Sequence, residues 1–365
     1  MADVAVIGAG VIGLSCAWEL AGAGLQVELL DCSAGGTEAS WAGAGMIPPG
    51  DTECAATDQL AQLSSRLWPE VSRHLHELTG IDNEYQLCGG VLLAPDSDRL
   101  EALQQSWRRR GNGVQRLGQA ELSAMEPGMN PGISEGVFLP EMAQVRNPRH
   151  LKALRAACLQ AGVKITPDQG VVGWESGQGQ VQAALTQEGR LQAGSFLVTA
   201  GAWTSELLRS LTPDLGIRPM RGQIVQLKAD QPVFSRVIEA GKHYLVPRRD
   251  GHVLIGATEE DVGFVKANTG EATERLLRFA VETVPALAGL PIVRTWSGLR
   301  PFSASGHPCL GRMPGLENLW VAAGHFRAGL SNSPATALVM RQLLLGQSPA
   351  VDVSGFAPLP PESAS

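Results

Sequence analysis

A chain of 365 residues, 44% apolar, with 43 glycines and 23 prolines, has the length of roughly two domains and ample material for a large core. Charged residues make up 18%, below the usual share of about 25%, which fits a compact globular enzyme and argues against a disordered scaffold. A net charge of −7 disfavours a nucleic-acid partner on the simplest electrostatic ground.

The first predicted element is the β-branched run Val4 to Ile7. Gly8-x-Gly10-x-x-Gly13 follows, then the helical spacing of Ile12, Cys16 and Leu20, then a second apolar run, Val27 to Leu30, ending at Asp31. This is strand, turn, helix, strand, acid. Gly8 permits the tight turn, Gly10 lets the backbone approach a pyrophosphate, and Gly13 lets helix and strand pack closely. Phosphates would sit on the helix N-terminus, where unpaired N–H groups and the dipole favour anions. Asp31 stands at the distance expected of a ribose acceptor. Residues 1–30 carry no basic leader, and the apolar segment at 4–15 is broken by glycines and too short to span a bilayer. A cytoplasmic protein with no membrane contact is therefore expected.

Residues 37–47, "TEASWAGAGMI", are small and nearly uncharged, a surface that a flat ring system could cover. Helical spacing at 56–79 (Leu60, Leu63, Leu67, Val71, His74) predicts a long surface-packed helix. "LCGGVLLAP" at 87–95 predicts a strand, 97–110 a charged helix, and 147–163 an amphipathic helix opened by Pro148 and closed near Gly162. The stretches 171–185 and 189–201 are strand-rich, with hairpin turns at their glycines. Between 221 and 257 lie three alternating runs, the last two joined by an Asp250-Gly251 turn. They predict an inserted antiparallel sheet, the wall that would hold substrate against a cofactor. Residues 347–365, rich in Pro and Ser, read as a loose tail. The six cysteines (Cys16, Cys32, Cys54, Cys88, Cys158, Cys309) form no Cys-x-x-Cys pair. They read as small buried hydrophobes in a reducing compartment, with no disulfide framework and no metal site.

Two more strand-to-glycine corners occur, "SFLVTAGAWTSELL" at 195–208 and "WVAAGHFRAGL" at 320–330. One dinucleotide stretched along the carboxyl edge of a parallel sheet needs several such corners. Their dispersal over 8–13, 198–203 and 322–329, with other material inserted, favours FAD over NAD.

"VIGAGVIGLS", "ASWAGAGM", "AGAWT", "HYLVPRRDGHVLIGAT", "WSGLRP" and "AAGHFRAGL" with "SPAT" together resemble the D-amino-acid oxidase superfamily, most nearly its bacterial glycine oxidases of thiamine biosynthesis. The likeness runs from about residue 3 to 346. It implies an α/β fold: a Rossmann-type, glutathione-reductase-like FAD-binding domain carrying an inserted, mainly antiparallel substrate domain. The division expected is 1–82, 140–215 and 300–346 for FAD, 83–139 and 216–299 for substrate, and 347–365 for the tail. The resemblance implies non-covalent FAD, a small amino-acid or amine substrate, O2 as acceptor and a homo-oligomer. Besides Gly8, Gly10, Gly13 and Asp31, the cofactor contacts it implies are Val11, Ile12, Cys32, Ala39, Ser40, Ala44, Gly45, Met46, Val171, Gly201, Gly324, His325, Phe326, Arg327, Ala328, Gly329, Leu330 and Ser331.

An amino-acid oxidase must hold a carboxylate, and the planar fork of an arginine does so best. Arg300, among Gly, Leu, Pro and Phe, is the candidate, because an unpaired cation there would be expensive. Tyr244, one of two tyrosines, could donate to the same carboxylate, and Arg327 would face the substrate side; these three are the expected catalytic set. His325 reads as structural. No protein base is needed if the amine binds neutral. Glu259 stands where a glycine oxidase usually has an apolar residue, and "IPPGDTEC" after Met46 is shorter than the family's lid. The substrate stays open between glycine, sarcosine, small D-amino acids and larger N-substituted glycines. A quinone-linked dehydrogenase, a tRNA-modification module and a non-catalytic flavoprotein remain the competing readings.

Overall fold

The computed structural model describes residues 1–52 and 54–358. Its first sheet has six strands, in the order Cys309–Arg312, Leu319–Ala323, Ala193–Val198, Ala2–Ile7, Val27–Leu30, Lys164–Thr166. All neighbours are parallel except the outermost pair, Cys309–Arg312 with Leu319–Ala323. Parallel strands are covered on both faces, so their residues alternate between two cores rather than between core and water. Val4, Val6, Leu29 and Leu197 join one core with the helices Val11–Gly22, Asn147–Gln160 and Ser333–Leu344. Ala5, Ile7, Leu30, Phe196 and Val198 join the other.

The second sheet has eight strands: Ile292–Ser303, Ile217–Lys228, His252–Gly256, His243–Pro247, Val237–Ala240, Gly90–Leu93, Glu135–Leu139 and Gln115–Gly118. One pair, Val237–Ala240 with Gly90–Leu93, is parallel. One face packs on the helix Gly270–Thr283 through Val225, Leu245, Ile255 and Leu276. The other carries Ile224, Tyr244, Val246, Leu254 and Trp296 toward Ala44 and Met46.

Several expectations change. The run 87–95 is two strands, Gln86–Leu87 and Gly90–Leu93, because Gly89 sits at φ +73 and breaks the extended chain. The inserted sheet gains Val237–Ala240 and Ile292–Ser303, and the latter runs straight through the boundary expected at 299/300. The helix Ala55–Thr79 is docked rather than laid on the surface: Leu60, Ser64, Trp68 and Leu75 are buried, and Ser64 Oγ and Trp68 Nε1 donate to Ser331 O at 2.6 and 2.8 Å. Cys16, Cys158 and Cys309 are buried, but Cys32 is exposed. The tail is not loose as far as residue 358. Phe356 is 2% exposed within the core of the first sheet, and Val351 and Val353 pack beside it; residues 359–365 lie outside the described residues. No helix among the described residues is long and apolar enough to cross a membrane.

Truncating a buried phenylalanine costs about 3–5 kcal/mol. Phe356→Ala should therefore lower the apparent Tm of the purified protein by about 5 °C in a thermal melt, whereas a loose tail would leave it unchanged.

Candidate active site

The three glycine corners end three adjacent strands, Ala2–Ile7, Ala193–Val198 and Leu319–Ala323. They open one cavity of about 1150 Å³ that runs to Tyr244 and Arg300 on the second sheet. Ligand pockets usually hold about 300–1,000 Å³, so there is room for a dinucleotide and a small substrate. Gly8 turns at φ +112, where a Cβ would stand 2.6 Å from Thr199 O. A Cβ on Gly13 would overlap Gly8 O, and Thr199 Oγ1 closes the corner by donating to Gly8 O at 2.8 Å. Asp31 Oδ2 accepts from Ala9 N at 2.7 Å, and Oδ1 from Ser33 N at 2.9 Å and Ser33 Oγ at 2.7 Å. An ionised carboxylate offers about four acceptor sites, so room for a ribose hydroxyl remains. Ser40 Oγ takes the N–H of Val11 at 2.9 Å, tying the short helix Ala39–Ala42 to the start of the first long one.

The second corner turns through a 3₁₀ segment, Gly201–Trp203, into Thr204–Leu208. At the third the helix begins only at Ser333, after the folded stretch 324–332. Gly324 lies at φ +81, and Phe326 takes φ +50, unusual for a bulky residue. Phe326 N donates to Pro301 O at 2.9 Å, so this corner leans on the strand that carries Arg300. His325 is buried and bonded to Thr336 Oγ1 through Nε2 at 3.1 Å; burial pulls its pKa down to about 4 and keeps it neutral. Of the residues named from the sequence, Gly13 and Gly324 shape the walls without lining the cavity, and all the others line it.

Strand register explains the far end. Trp296, Gly298 and Arg300 share one face of their strand, two residues apart, and Gly222 and Ile224 share the matching face of the next. Gly222 opposes Gly298, so the Arg300 side chain crosses diagonally over Gly222; a Cβ there would overlap the guanidinium. Arg300 Nη1 donates to Thr258 O at 2.9 Å. Tyr244 opposes Gly256, where a Cβ would overlap its ring. Burial pushes the Tyr244 hydroxyl above the ordinary phenol range, opposed by the charge and hydrogen bond of Arg300. The hydroxyl therefore keeps its proton and can donate it. Among the described residues, no carboxylate pairs with Arg300.

Arg327 lines the same cavity but is not simply turned to substrate. Its Nε donates to Glu259 Oε2 at 3.1 Å, Nη2 bonds the same oxygen, and Lys242 Nζ holds Glu259 Oε1 at 2.9 Å. Glu259 therefore faces the cavity. Burial would raise its pKa, but the bonds from Arg327 and Lys242 prevail and hold it below the usual range. Gly50, Asp51 and Thr52, shortly after Met46, also line the cavity, and Arg110 Nε donates to Asp51 O at 2.6 Å.

Sequence reasoning missed Gly222, Gly256, Thr258 and Arg248. The first two announce themselves only once register is known. Arg248 is 6% exposed and donates to Gln144 Oε1, Val145 O and Ala44 O at 2.8, 3.0 and 2.7 Å, fixing the Ala44–Met46 turn; burial lowers its pKa to about 10. Its Arg-Asp-Gly setting marked a turn but not a buried cation.

These features define a dinucleotide-binding protein whose cavity is bordered at its far end by the second sheet. The chain belongs to the FAD dependent oxidoreductase family, whose model matches residues 3–343. It is 38% identical to a glycine oxidase of Pseudomonas aeruginosa, over 97% of this chain and 98% of that one. It is 37% identical to a glycine oxidase of Pseudomonas putida, over 98% of each. Among solved structures it is similar to the glycine oxidase from Geobacillus kaustophilus, with a TM-score of 0.94 and 30% identity, covering 98% of both chains. FAD is its cofactor, and the glycine cradle at Gly8 and Gly13 fits the group. Among the described residues no cluster of His, Cys, Asp or Glu could hold a metal.

Gly8→Val should abolish retention of yellow FAD on purification, read as visible absorbance, because both φ and the 2.6 Å approach forbid a side chain. Acid should act through His325. An unfolded histidine binds its proton below about 6.5, while this one resists until about 4. Its contribution to stability is full above about pH 6.5 and is lost progressively as the pH falls to about 4. His325→Gln should flatten the fall of Tm across that window.

Proposed function

We propose that the chain is a glycine oxidase, acting on glycine or a comparably small amine-bearing carboxylate. The single observation that carries this is Arg300: a guanidinium facing the cavity over Gly222, anchored by one backbone carbonyl and Tyr244, without a carboxylate partner among the described residues. Such a cation has donors left over for an anion, and a bidentate carboxylate fits its fork. Tyr244 supplies the second donor. The names of the relatives support the same chemistry, and the substrate is of their class.

In this reading the Gly8–Gly13 loop with Val11, Ile12, Asp31 and Cys32 holds the adenosine and phosphate end of FAD. Ala39, Ser40, Ala44–Met46, Val171 and Gly201 flank its length, and residues 324–331 wrap the ring end. The unit divided at 1–82, 140–215 and 300–346 would be the FAD holder, and 83–139 with 216–299 the substrate wall, with the strand to Ser303 shared between them. FAD is held without a covalent bond, consistent with Cys309 lying buried outside the cavity lining.

Bound FAD would supply the two-electron acceptor for the amine, with O2 as the final acceptor and hydrogen peroxide as the by-product. The protein's part is to fix the carboxylate, exclude bulk water and leave the amine neutral. His325, kept neutral and bonded to Thr336, is no base, and none is required when the free amine is the form that binds. Water then hydrolyses the imine product.

Purified enzyme should be yellow and release peroxide on addition of glycine. Arg300→Ala should raise KM at least about a hundredfold while FAD is retained, since two charge-assisted hydrogen bonds of about 1.5–3 kcal/mol each are lost. Unchanged turnover in that variant, or no peroxide from any small amine carboxylate, defeats the assignment. Anaerobic bleaching without peroxide in air would make the enzyme a dehydrogenase.

A further inference from the structure

We propose that Glu259 sets the charge rule at the substrate end: it makes the enzyme refuse amine substrates that carry a second carboxylate. This rests on the reading of Arg300 and Tyr244 as holders of the first carboxylate.

Glu259 follows Thr258, whose carbonyl anchors Arg300, so one stretch of backbone positions both charges. Its side chain is 19% exposed, lines the same cavity as Arg300 and Tyr244, and is gripped on both sides by Lys242 and Arg327. Glu259 offsets the cations that grip it, so its loss raises the charge at this point by one. These side chains border the same cavity as Arg300, so a substituent on the substrate that reaches them meets their charge. A neutral substituent meets no charge penalty there. A carboxylate there comes up against an ionised carboxylate in a partly desolvated cavity, and Lys242 and Arg327 already donate to Glu259. Like charges held close at reduced dielectric repel strongly enough to change selectivity by an order of magnitude. What matters is the change of charge at this point, whatever further contacts the cations make.

The test uses purified holoenzyme and peroxide release, with two substrate pairs that differ by one carboxylate: sarcosine against N-(carboxymethyl)glycine, and D-alanine against D-aspartate. For each pair the ratio of kcat/KM, dicarboxylic over monocarboxylic, is compared between wild type and Glu259→Gln, the detection limit standing for an unmeasurable rate. The wild-type ratios should lie below one, and at least one should rise about tenfold in the variant. The opposite change, Lys242→Met at a side chain 63% exposed, should lower them. If Glu259→Gln does not retain FAD, Lys242→Met decides: a fall of threefold or more supports the proposal and a smaller one overturns it. A rise of less than threefold in both ratios for Glu259→Gln overturns it, and so does a wild-type ratio above one. Wild-type enzyme that oxidises glycine yet keeps its ratios on losing Glu259 removes only this role. Enzyme that oxidises none of these amines removes the Arg300 reading itself.

Discussion

Arg300 is a permanent cation inside a cavity, and the structure around it is arranged so that the folded protein supplies half of what that charge needs. One backbone carbonyl, from Thr258, and the hydroxyl of Tyr244 meet the guanidinium; no carboxylate of the described chain does. A carboxylate at this point would neutralise the cation within the protein and leave nothing for an anionic substrate. Its absence is tolerable because the group keeps contact with the open cavity rather than being fully sealed. The flat approach depends in turn on Gly222, which lies diagonally across the strand pair and leaves its Cβ space to the guanidinium.

The same device recurs one strand away, where Gly256 leaves room for the Tyr244 ring. Two glycines in a sheet interior weaken it locally, and the side chains of Arg300 and Tyr244 fill the gaps. Register therefore does more than pair strands here. It puts Arg300 and Tyr244 on the face that looks toward the glycine corners, and puts Val225, Leu245 and Ile255 on the face that packs against the helix Gly270–Thr283. A slip of one residue would exchange the two faces.

The sheet and the cofactor corners are held together by close approaches rather than by long linkers. A Cβ on Gly298 would stand 2.6 Å from Ala42 Cβ, Trp296 Nε1 donates to Ala42 O at 2.9 Å, and Trp41 packs edge-on against Trp296. Arg248 reaches from the second sheet to Ala44 O. The turn at 44–46 is thus fixed from the second sheet, which ties its geometry to that of Arg300 and Tyr244. Phe326, bonded to Pro301 O, makes the corresponding tie at the third corner.

Local chemistry was legible from residue order alone. A β-branched run, glycines at fixed offsets and an acid 23 residues on from Gly8 specify a strand–turn–helix–strand unit, because each of those demands is met within a few residues of chain. The three corners could be recognised singly for the same reason, whereas Arg300, an arginine in apolar company, and Tyr244, a rare tyrosine, were singled out with the help of the family resemblance. Segments read by period alone fared less well at their edges: Gly89 split a strand, and Phe356 drew a Pro- and Ser-rich tail into the core. What only the tertiary structure decided is which residues face one another. Gly222 under Arg300, Gly256 under Tyr244, and Glu259 between Lys242 and Arg327 are pairings across strands or loops. They follow from register and from the crossing of two sheets, quantities that no local pattern of side chains encodes.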